Sequence, residues 1–276
     1  MPLSINTNIA SMTAQRSFLN SNASLETAFE RLSTGKRINS SVDDAAGLAI
    51  GKELESRVSG LNQAVRNVND GISMLQIAEG AYDEATTIVQ RMRDLAVQAA
   101  NGSLLTAERT YLDAEQEDLV TALDAALDQA EFAGQSLIDG AKEVVIQTGA
   151  TADDKTTLSL SLAANDDADS LLIDATDVVL TTGSGARTAI TALDTALAGI
   201  ASQRASLGAQ QSQLESTVRN LSNVAENTAA AAGRIMDTDY AAETANLTKA
   251  QILQQAATSI LAQANAQPQA VLALLQ

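Results

Sequence analysis

Two groups of carboxylates are spaced closely enough in the sequence to suggest chemistry. Asp43 and Asp44 are adjacent, and Asp166, Asp167 and Asp169 form a second group. A carboxylate pair can serve acid–base catalysis or metal binding, but acids at a helix start also cap its free amides. The second group lacks the glycine and glutamate spacing of a calcium-binding EF-hand loop. We therefore predict a helix cap and a polar loop, with no metal and no cofactor.

The residues that most enzymes use are missing. The chain has no Cys, His or Trp, so disulfides, thiolate chemistry and imidazole bases are excluded. It also shows no nucleophile–base pair and no glycine-rich loop followed by Lys. These absences predict that the chain is not an enzyme.

The charge balance restricts the possible partners. The formal net charge is −17, which opposes binding to nucleic acid and to anionic membranes. The first residues lack the basic and apolar regions of a secretory signal, and no apolar run is long enough to span a bilayer. Composition alone thus indicates a cytoplasmic protein with no nucleic-acid or membrane partner.

A coiled-coil pattern is strongest between residues 54 and 99. Apolar residues recur there in alternating steps of four and three, which is the seam of a left-handed coiled coil. The seam consists of Leu54, Val58, Leu61, Val65, Val68, Ile72, Leu75, Ala78, Tyr82, Ala85, Val89, Met92, Ala96 and Ala99. Two successive steps of three at Ile72, Leu75 and Ala78 predict local overwinding.

A second seam runs from Ile190 to Ile235, with Arg204 and Gln211 at predicted core positions. Polar residues at such positions usually fix register at a cost in stability. Gly208 lies inside this helix, where glycine costs about 1 kcal/mol relative to alanine. We expect either a close packing contact that can switch between two arrangements there or an exposed glycine without a partner. A shorter helix is predicted over about 105–130.

Only the middle of the chain has a β-like pattern. Residues 144–146 and 158–162 predict two short strands joined by a hairpin loop at 150–154. Residues 171–180 predict a further extended piece, and residues 182–185 close the region.

The two ends of the chain also carry helical patterns, over 5–33 and 243–275. They are apolar, and we expect them to have nothing in the monomer to bury against and to be poorly ordered. Residues 33–35 and 39–44 are interpreted as a hinge. The predicted fold is mainly α: an elongated antiparallel coiled-coil bundle with a small β-hairpin region, whose termini share one tip.

Several long segments of the chain resemble the bacterial flagellin family. They are 32–40 (LSTGKRINS), 43–50 (DDAAGLAI) and 67–76 (NVNDGISMLQ) near the start, and 237–241 (DTDYA), 250–256 (AQILQQA), 261–265 (LAQAN) and 268–275 (PQAVLALL) near the end. The resemblance covers about 1–140 and 188–276. It implies a structural subunit that polymerises into the extracellular filament for motility. It also implies type III export without a cleaved signal, which overturns the cytoplasmic interpretation.

The family's architecture implies three parts for this chain. Residues 1–42 with 237–276 would form the inner core of the filament, residues 43–142 with 188–236 its shell, and residues 143–187 a small β region closing the shell. That gap is too short for the outer domains of larger members. The polymerisation residues are then predicted to be Ile5, Ile9, Met12, Leu253, Ile260, Leu261, Val271, Leu272 and Leu275.

The resemblance also implies partners. They are other copies of the chain, the flagellar cap and hook-junction proteins, an export chaperone at the C-terminal helix, and an animal flagellin-sensing Toll-like receptor. Gln90, Arg91 and Leu95, with Glu115 on the next helix, match positions that the receptor contacts. The same residues serve subunit packing in the family, and the two roles are compatible.

Two other functions remain open at this point. A hook–filament junction protein of the same apparatus shares the terminal helices, although the matches at both extremes favour flagellin. A free-standing coiled-coil adaptor would show the same heptads, but it would not need apolar end helices that match a known pattern.

Overall fold

The computed structural model describes residues 7–138, 143–160 and 178–273, with side chains in the last helix described as far as residue 266. The described helices are α1 (Ile9–Thr34), α2 (Ala45–Ala99), α3 (Thr106–Asp128), α4 (Gly183–Met236) and α5 (Tyr240–Ala273). The described strands are β1 (Glu131–Phe132), β2 (Gln135–Ser136), β3 (Glu143–Gln147) and β4 (Lys155–Ser159). The prediction of a mainly α bundle with a small β region in mid-chain is confirmed. No described helix has the length and apolar character needed to cross a membrane.

The chain divides into two compact units. One comprises Met1–Val58 with Glu226–Gln276, and the other comprises Ser59–Ala225. Both divisions fall inside helices, whereas the division predicted from the sequence falls at 42, 142, 187 and 236. The three predicted parts (inner core, shell and closing β region) are defined by their positions in a filament, so their assignment to this chain stays a prediction.

The heptad seam of α2 is the core of the Ser59–Ala225 unit. Its predicted members within this unit are buried or half-buried, and Val68, Tyr82, Val89 and Met92 are completely enclosed. Leu75 and Ala78 are both buried, so the apolar face continues through the predicted hitch. The period of the sequence therefore located the core correctly.

Helix α4 packs antiparallel on α2 in this unit. The guanidinium of Arg93 lies 2.6 Å from the Asp194 carboxylate, and that of Arg204 lies 2.8 Å from Glu79. From the first ion pair to the second, the residue number falls along α2 and rises along α4, which shows that the two helices are antiparallel. The predicted seam of α4 is buried at Leu193, Ile200, Leu207, Leu214 and Leu221.

Arg204 explains why a charged residue interrupts the seam. Its side chain is only partly exposed and reaches two carboxylates on α2, Glu79 and Asp83, the latter at 3.0 Å. Ion pairs of this exposure add little stability, but their geometry favours one register of the two helices. Gln211, the other predicted polar position, is half-buried.

The predicted hairpin is confirmed as β3 and β4, which pair antiparallel with Val144 opposite Leu158. Its second strand begins earlier than predicted, at Lys155, and ends at Ser159, and residues 161–162 of the predicted strand lie outside the described residues. A second hairpin, β1–β2, was not predicted. Its turn residues Ala133 and Gly134 have φ of 52° and 77°, the left-handed values that a two-residue hairpin turn requires. Alanine at the first position hid this turn, because the usual residues there are Asn, Asp or Gly. Of the extended piece predicted at 171–180, residues 171–177 lie outside the described residues, and 178–180 form no regular strand.

Side chains from both long helices hold the β3–β4 hairpin. Gly71 leaves room for Ile146, because a Cβ at position 71 would overlap the Cδ1 of that side chain. The buried Tyr82 hydroxyl donates a hydrogen bond of 2.9 Å to the carbonyl of Leu160, and burial raises the pKa of Tyr82 above its ordinary value. Gln210 both donates to and accepts from the backbone of Ser159.

Candidate self-assembly surface

Helices α1 and α5 form an antiparallel pair within the unit that contains both ends of the chain. Alanines face each other along the pair: Ala14 and Ala28 of α1 and Ala250, Ala257 and Ala264 of α5 are buried. Small side chains let two helix backbones approach closely, so this contact is thin. The prediction that these helices have nothing in the monomer to bury against is therefore wrong, since each buries its alanines against the other.

Polar contacts fix the register of this pair. The amide of Asn8 donates to the carbonyl of Ala264 at 2.8 Å, and the hydroxyl of Ser11 donates to the side chain of Asn265 at 2.8 Å. Further along, Gln254 donates to the side chain of Asn22 at 3.1 Å. These bonds would be lost if either helix rotated to bury its larger side chains instead.

Several large apolar side chains of the pair point to solvent, whereas others, such as Phe18, Leu25 and Leu32, are half-buried. The exposed ones are Ile9, Met12, Leu19 and Phe29 on α1, and Ile252, Leu253 and Ile260 on α5. Single exposed apolar residues are ordinary, but an accumulation of them along one helix pair marks an interaction site. This apolar surface, which we call the terminal-helix surface, is the candidate site.

Four of the nine predicted polymerisation residues belong to this surface. Ile9, Met12, Leu253 and Ile260 are exposed, and Leu261 is half-buried. Val271 and Leu272 lie in α5 where side chains are not described, and Ile5 and Leu275 lie outside the described residues. Leu19, Phe29 and Ile252 are exposed as well but were not among the predicted residues, although all three lie in the apolar helical segments predicted over 5–33 and 243–275.

The segment that follows α1 is tied to the end of α4. Gly35 adopts a left-handed φ of 70° and ends α1. The amide of Arg37 donates to the carbonyl of Met236 at 2.6 Å, and the amide of Thr238 donates to that of Gly35 at 2.9 Å. The predicted hinge is thus held by backbone hydrogen bonds in the described state, and hinge motion stays a prediction.

Of the two acidic residues predicted to cap α2, only Asp44 does so, and Asp43 stabilises the loop before the helix. Asp44 caps α2, since its carboxylate accepts the amide of Gly47 at 2.9 Å. Asp43 instead accepts the amides of Ser40 and Asn39, at 2.9 and 3.1 Å, and these bonds hold the pKa of the Asp43 carboxyl below its usual value. No cluster of potential metal ligands occurs among the described residues. The calcium alternative at Asp166–Asp169 lies outside them.

The predicted receptor residues lie in the other unit and differ in accessibility. Gln90, Arg91 and Glu115 are exposed, and the Arg91 guanidinium lies 2.6 Å from the Glu115 carboxylate. Leu95 is only 2% exposed and belongs to the hydrophobic core. A protein partner could therefore touch the first three directly, but Leu95 could act only through the fold.

Gly208 is exposed on α4, and a Cβ at this position would meet no atom within 4 Å. Alanine therefore fits there within the monomer. Both sequence interpretations of this glycine, a switching contact or an unpartnered surface position, remain open.

Family models and related proteins of known name all point to the same protein family. Residues 5–143 match the bacterial flagellin N-terminal helical region, and residues 190–275 match the bacterial flagellin C-terminal helical region. The chain is 42% identical to a flagellin of Halalkalibacterium halodurans, with 99% of each chain covered. It is 39% identical to the flagellar filament 33 kDa core protein of Treponema phagedenis, again with 99% of each covered.

Solved structures agree with this assignment. The crystal structure of Bacillus cereus flagellin matches with a TM-score of 0.50 and 33% identity, over 60% of this chain and 94% of that one. A flagellar hook-associated protein of Vibrio parahaemolyticus matches with a TM-score of 0.61 over 71% of this chain and all of that one, but at 15% identity. The second likeness concerns the fold alone, so it does not favour the hook–filament alternative.

Proposed function

The chain belongs to the bacterial flagellin family, and we propose that its copies assemble through the terminal-helix surface. It is a structural subunit that polymerises into the extracellular flagellar filament. The observation that carries the proposal is the exposure of the large apolar side chains on α1 and α5. Their burial in a polymer supplies about 25 cal/mol for each Å² removed from water.

The finer assignments are extensions of this proposal. Residues 1–42 with 237–276 would form the filament's inner core, residues 43–142 with 188–236 its shell, and residues 143–187 the β region closing the shell. The chain would be exported without a cleaved signal and carry no catalytic activity. Its other partners would be the cap and hook-junction proteins and a chaperone that covers α5 before export. An exposed apolar helix is the kind of surface that such a chaperone protects.

Electron microscopy of the purified chain, incubated with short filament seeds, tests the assigned function. We expect long helical filaments, because a head-to-tail interface extends without closing. A chain that stays monomeric at high concentration, or that only adds a short cap to existing ends, would point to a junction protein instead.

Receptor recognition is supported by the exposure of Gln90, Arg91 and Glu115. We expect Arg91→Ala to raise the monomer concentration needed for half-maximal receptor signalling by about tenfold, since interface arginines are often energetic hot spots. The measurement is a dose–response curve in reporter cells. The matched control is Arg93→Ala, which removes a similar ion-paired guanidinium from the same helix. Equal curves for the wild-type chain and Arg91→Ala would contradict the proposal.

For Gly208 we propose a subunit contact that shifts between two packings in the filament. Gly208→Ala should stabilise the monomer by about 1 kcal/mol through helix propensity, yet change the waveform of the filament and impair swimming. Dark-field microscopy of filaments measures the waveform. Gly80→Ala is the control, because Gly80 is also exposed within a long helix with no atom near its missing Cβ. A normal waveform in Gly208→Ala filaments would leave this glycine a tolerated surface position.

A further inference from the structure

Val42 is the most exposed large hydrophobic residue described, with 93% of its surface accessible. It lies between α1 and α2 in a loop that its neighbours hold in shape. The Asp43 carboxylate binds the amides of Asn39 and Ser40 and the Ser40 hydroxyl at 3.1 Å, and Asp44 caps α2 directly afterwards. An apolar side chain is thus presented to solvent by an ordered polar loop.

The same unit contains an apolar groove between α2 and α4, which we call the junction groove. It has a volume of about 250 Å³ and is lined by Glu55, Val58, Ala229, Ala232, Gly233, Met236 and Asp237. Gly233 helps to keep it open, because it adds no side chain to the lining. Val42 does not fill the groove of its own chain, since its side chain is almost fully accessible.

Charges around the groove complement those around Val42. The Glu55 carboxylate is bound by two ammonium groups, Lys36 at 2.6 Å and Lys52 at 2.8 Å, and the hydrogen bonds from Lys36 and then Lys52 lower the pKa of Glu55. The guanidinium of Arg37 donates to the carbonyl of Ile235, which precedes the lining residue Met236. With Asp237, this rim carries three positive and two negative groups. The loop of Val42 brings the negative Asp43 and Asp44.

We propose that the Val42 loop of one subunit docks into the junction groove of the next subunit in the filament. The occupant is a second copy of this chain, because the charges around Val42 and around the groove are complementary and Val42 stays exposed within its own chain. A knob and a groove at different places on one molecule make a head-to-tail contact, which propagates rather than closing into a dimer. The contact adds to the terminal-helix surface and rests on the chain polymerising.

The absence of natural cysteines permits a direct test by cross-linking. Two single variants, Val42→Cys and Ala229→Cys, are mixed with cysteine-free chain, polymerised on seeds and mildly oxidised. Because each chain has at most one thiol, a disulfide between positions 42 and 229 can form only between subunits. Such a disulfide requires the Cα atoms of the two positions to lie within about 7 Å of each other. We expect disulfide-linked dimers on non-reducing gels from filaments, and none from monomers at equal concentration.

The matched control replaces Ala229→Cys by Ala230→Cys, which is also exposed on α4 but does not line the groove. Dimers from the position 229 pair and few from the position 230 pair support the docking. Equal yields from both pairs, or no dimer from the position 229 pair in well-formed filaments, overturn it. Failure of the cysteine-free chain itself to form filaments would instead reject the assigned function.

A second variant tests the energetic contribution of the contact without cross-linking. Val42→Ser should raise the critical concentration for polymerisation by about tenfold, the equivalent of a lost buried valine side chain. Thermal unfolding of the monomer should be unchanged, because Val42 contributes no burial there. Ser41→Ala, at the adjacent exposed position, is the control. An unchanged critical concentration in Val42→Ser would overturn the proposal.

Discussion

The double substitution of Leu253→Asp with Ile260→Asp is expected to give a folded monomer that forms no filaments. Both side chains are exposed on α5, with 46% and 57% of their surfaces accessible, and they lie two turns apart on one stripe. The monomer loses little by the change because neither side chain is fully buried within it. The polymer loses about 1.5–3 kcal/mol for each apolar side chain no longer buried, and it must also desolvate two carboxylates.

Such a loss raises the critical concentration more than about a hundredfold. Sedimentation of seeded samples measures the polymer, and circular dichroism verifies the helices. The control is Gln251→Asp with Thr258→Asp, which adds the same charges at the same spacing to exposed polar positions of α5. Pelletable filaments from the Leu253/Ile260 variant, at concentrations that suffice for the wild-type chain, would show that this surface does not drive assembly.

The second large effect concerns the core rather than the surface. Leu95→Ala should lower the free energy of unfolding by about 2–5 kcal/mol, since the side chain is 2% exposed and its removal leaves a cavity. Urea denaturation followed by circular dichroism measures the change. Val97→Ala, on the same helix with 49% of its surface exposed, is expected to cost no more than about 0.5 kcal/mol.

The stability of Leu95→Ala also decides how its effect on receptor signalling is interpreted. A weaker receptor response of Leu95→Ala would follow from a destabilised fold, whereas the response of Arg91→Ala reports a surface contact. If Leu95→Ala proves as stable as Val97→Ala, the described core around α2 is incorrect and Leu95 becomes available as a contact residue.

The heptads of α2 and α4 were predictable because both helices bury one continuous stripe of large residues. A period of alternating three and four steps then identifies the core without further information. The β3–β4 hairpin was predictable for a similar reason, since β-branched and alternating apolar residues flank a polar loop. Hairpin β1–β2 was not, because nothing in its two-residue strands distinguishes them from a loop.

The sequence by itself determined the helical class, the small β region, the absence of cysteine and histidine chemistry, and the family. Only the tertiary structure decided which apolar face of the terminal helices is turned inward. A stripe of alanines and a stripe of isoleucines and leucines are both apolar in sequence, so periodicity cannot rank them. The hydrogen bonds of Asn8 and Ser11 to α5 bring the two backbones close at the alanines. Larger side chains such as Ile9, Met12, Leu253 and Ile260 are therefore left exposed, and we propose that another subunit buries them.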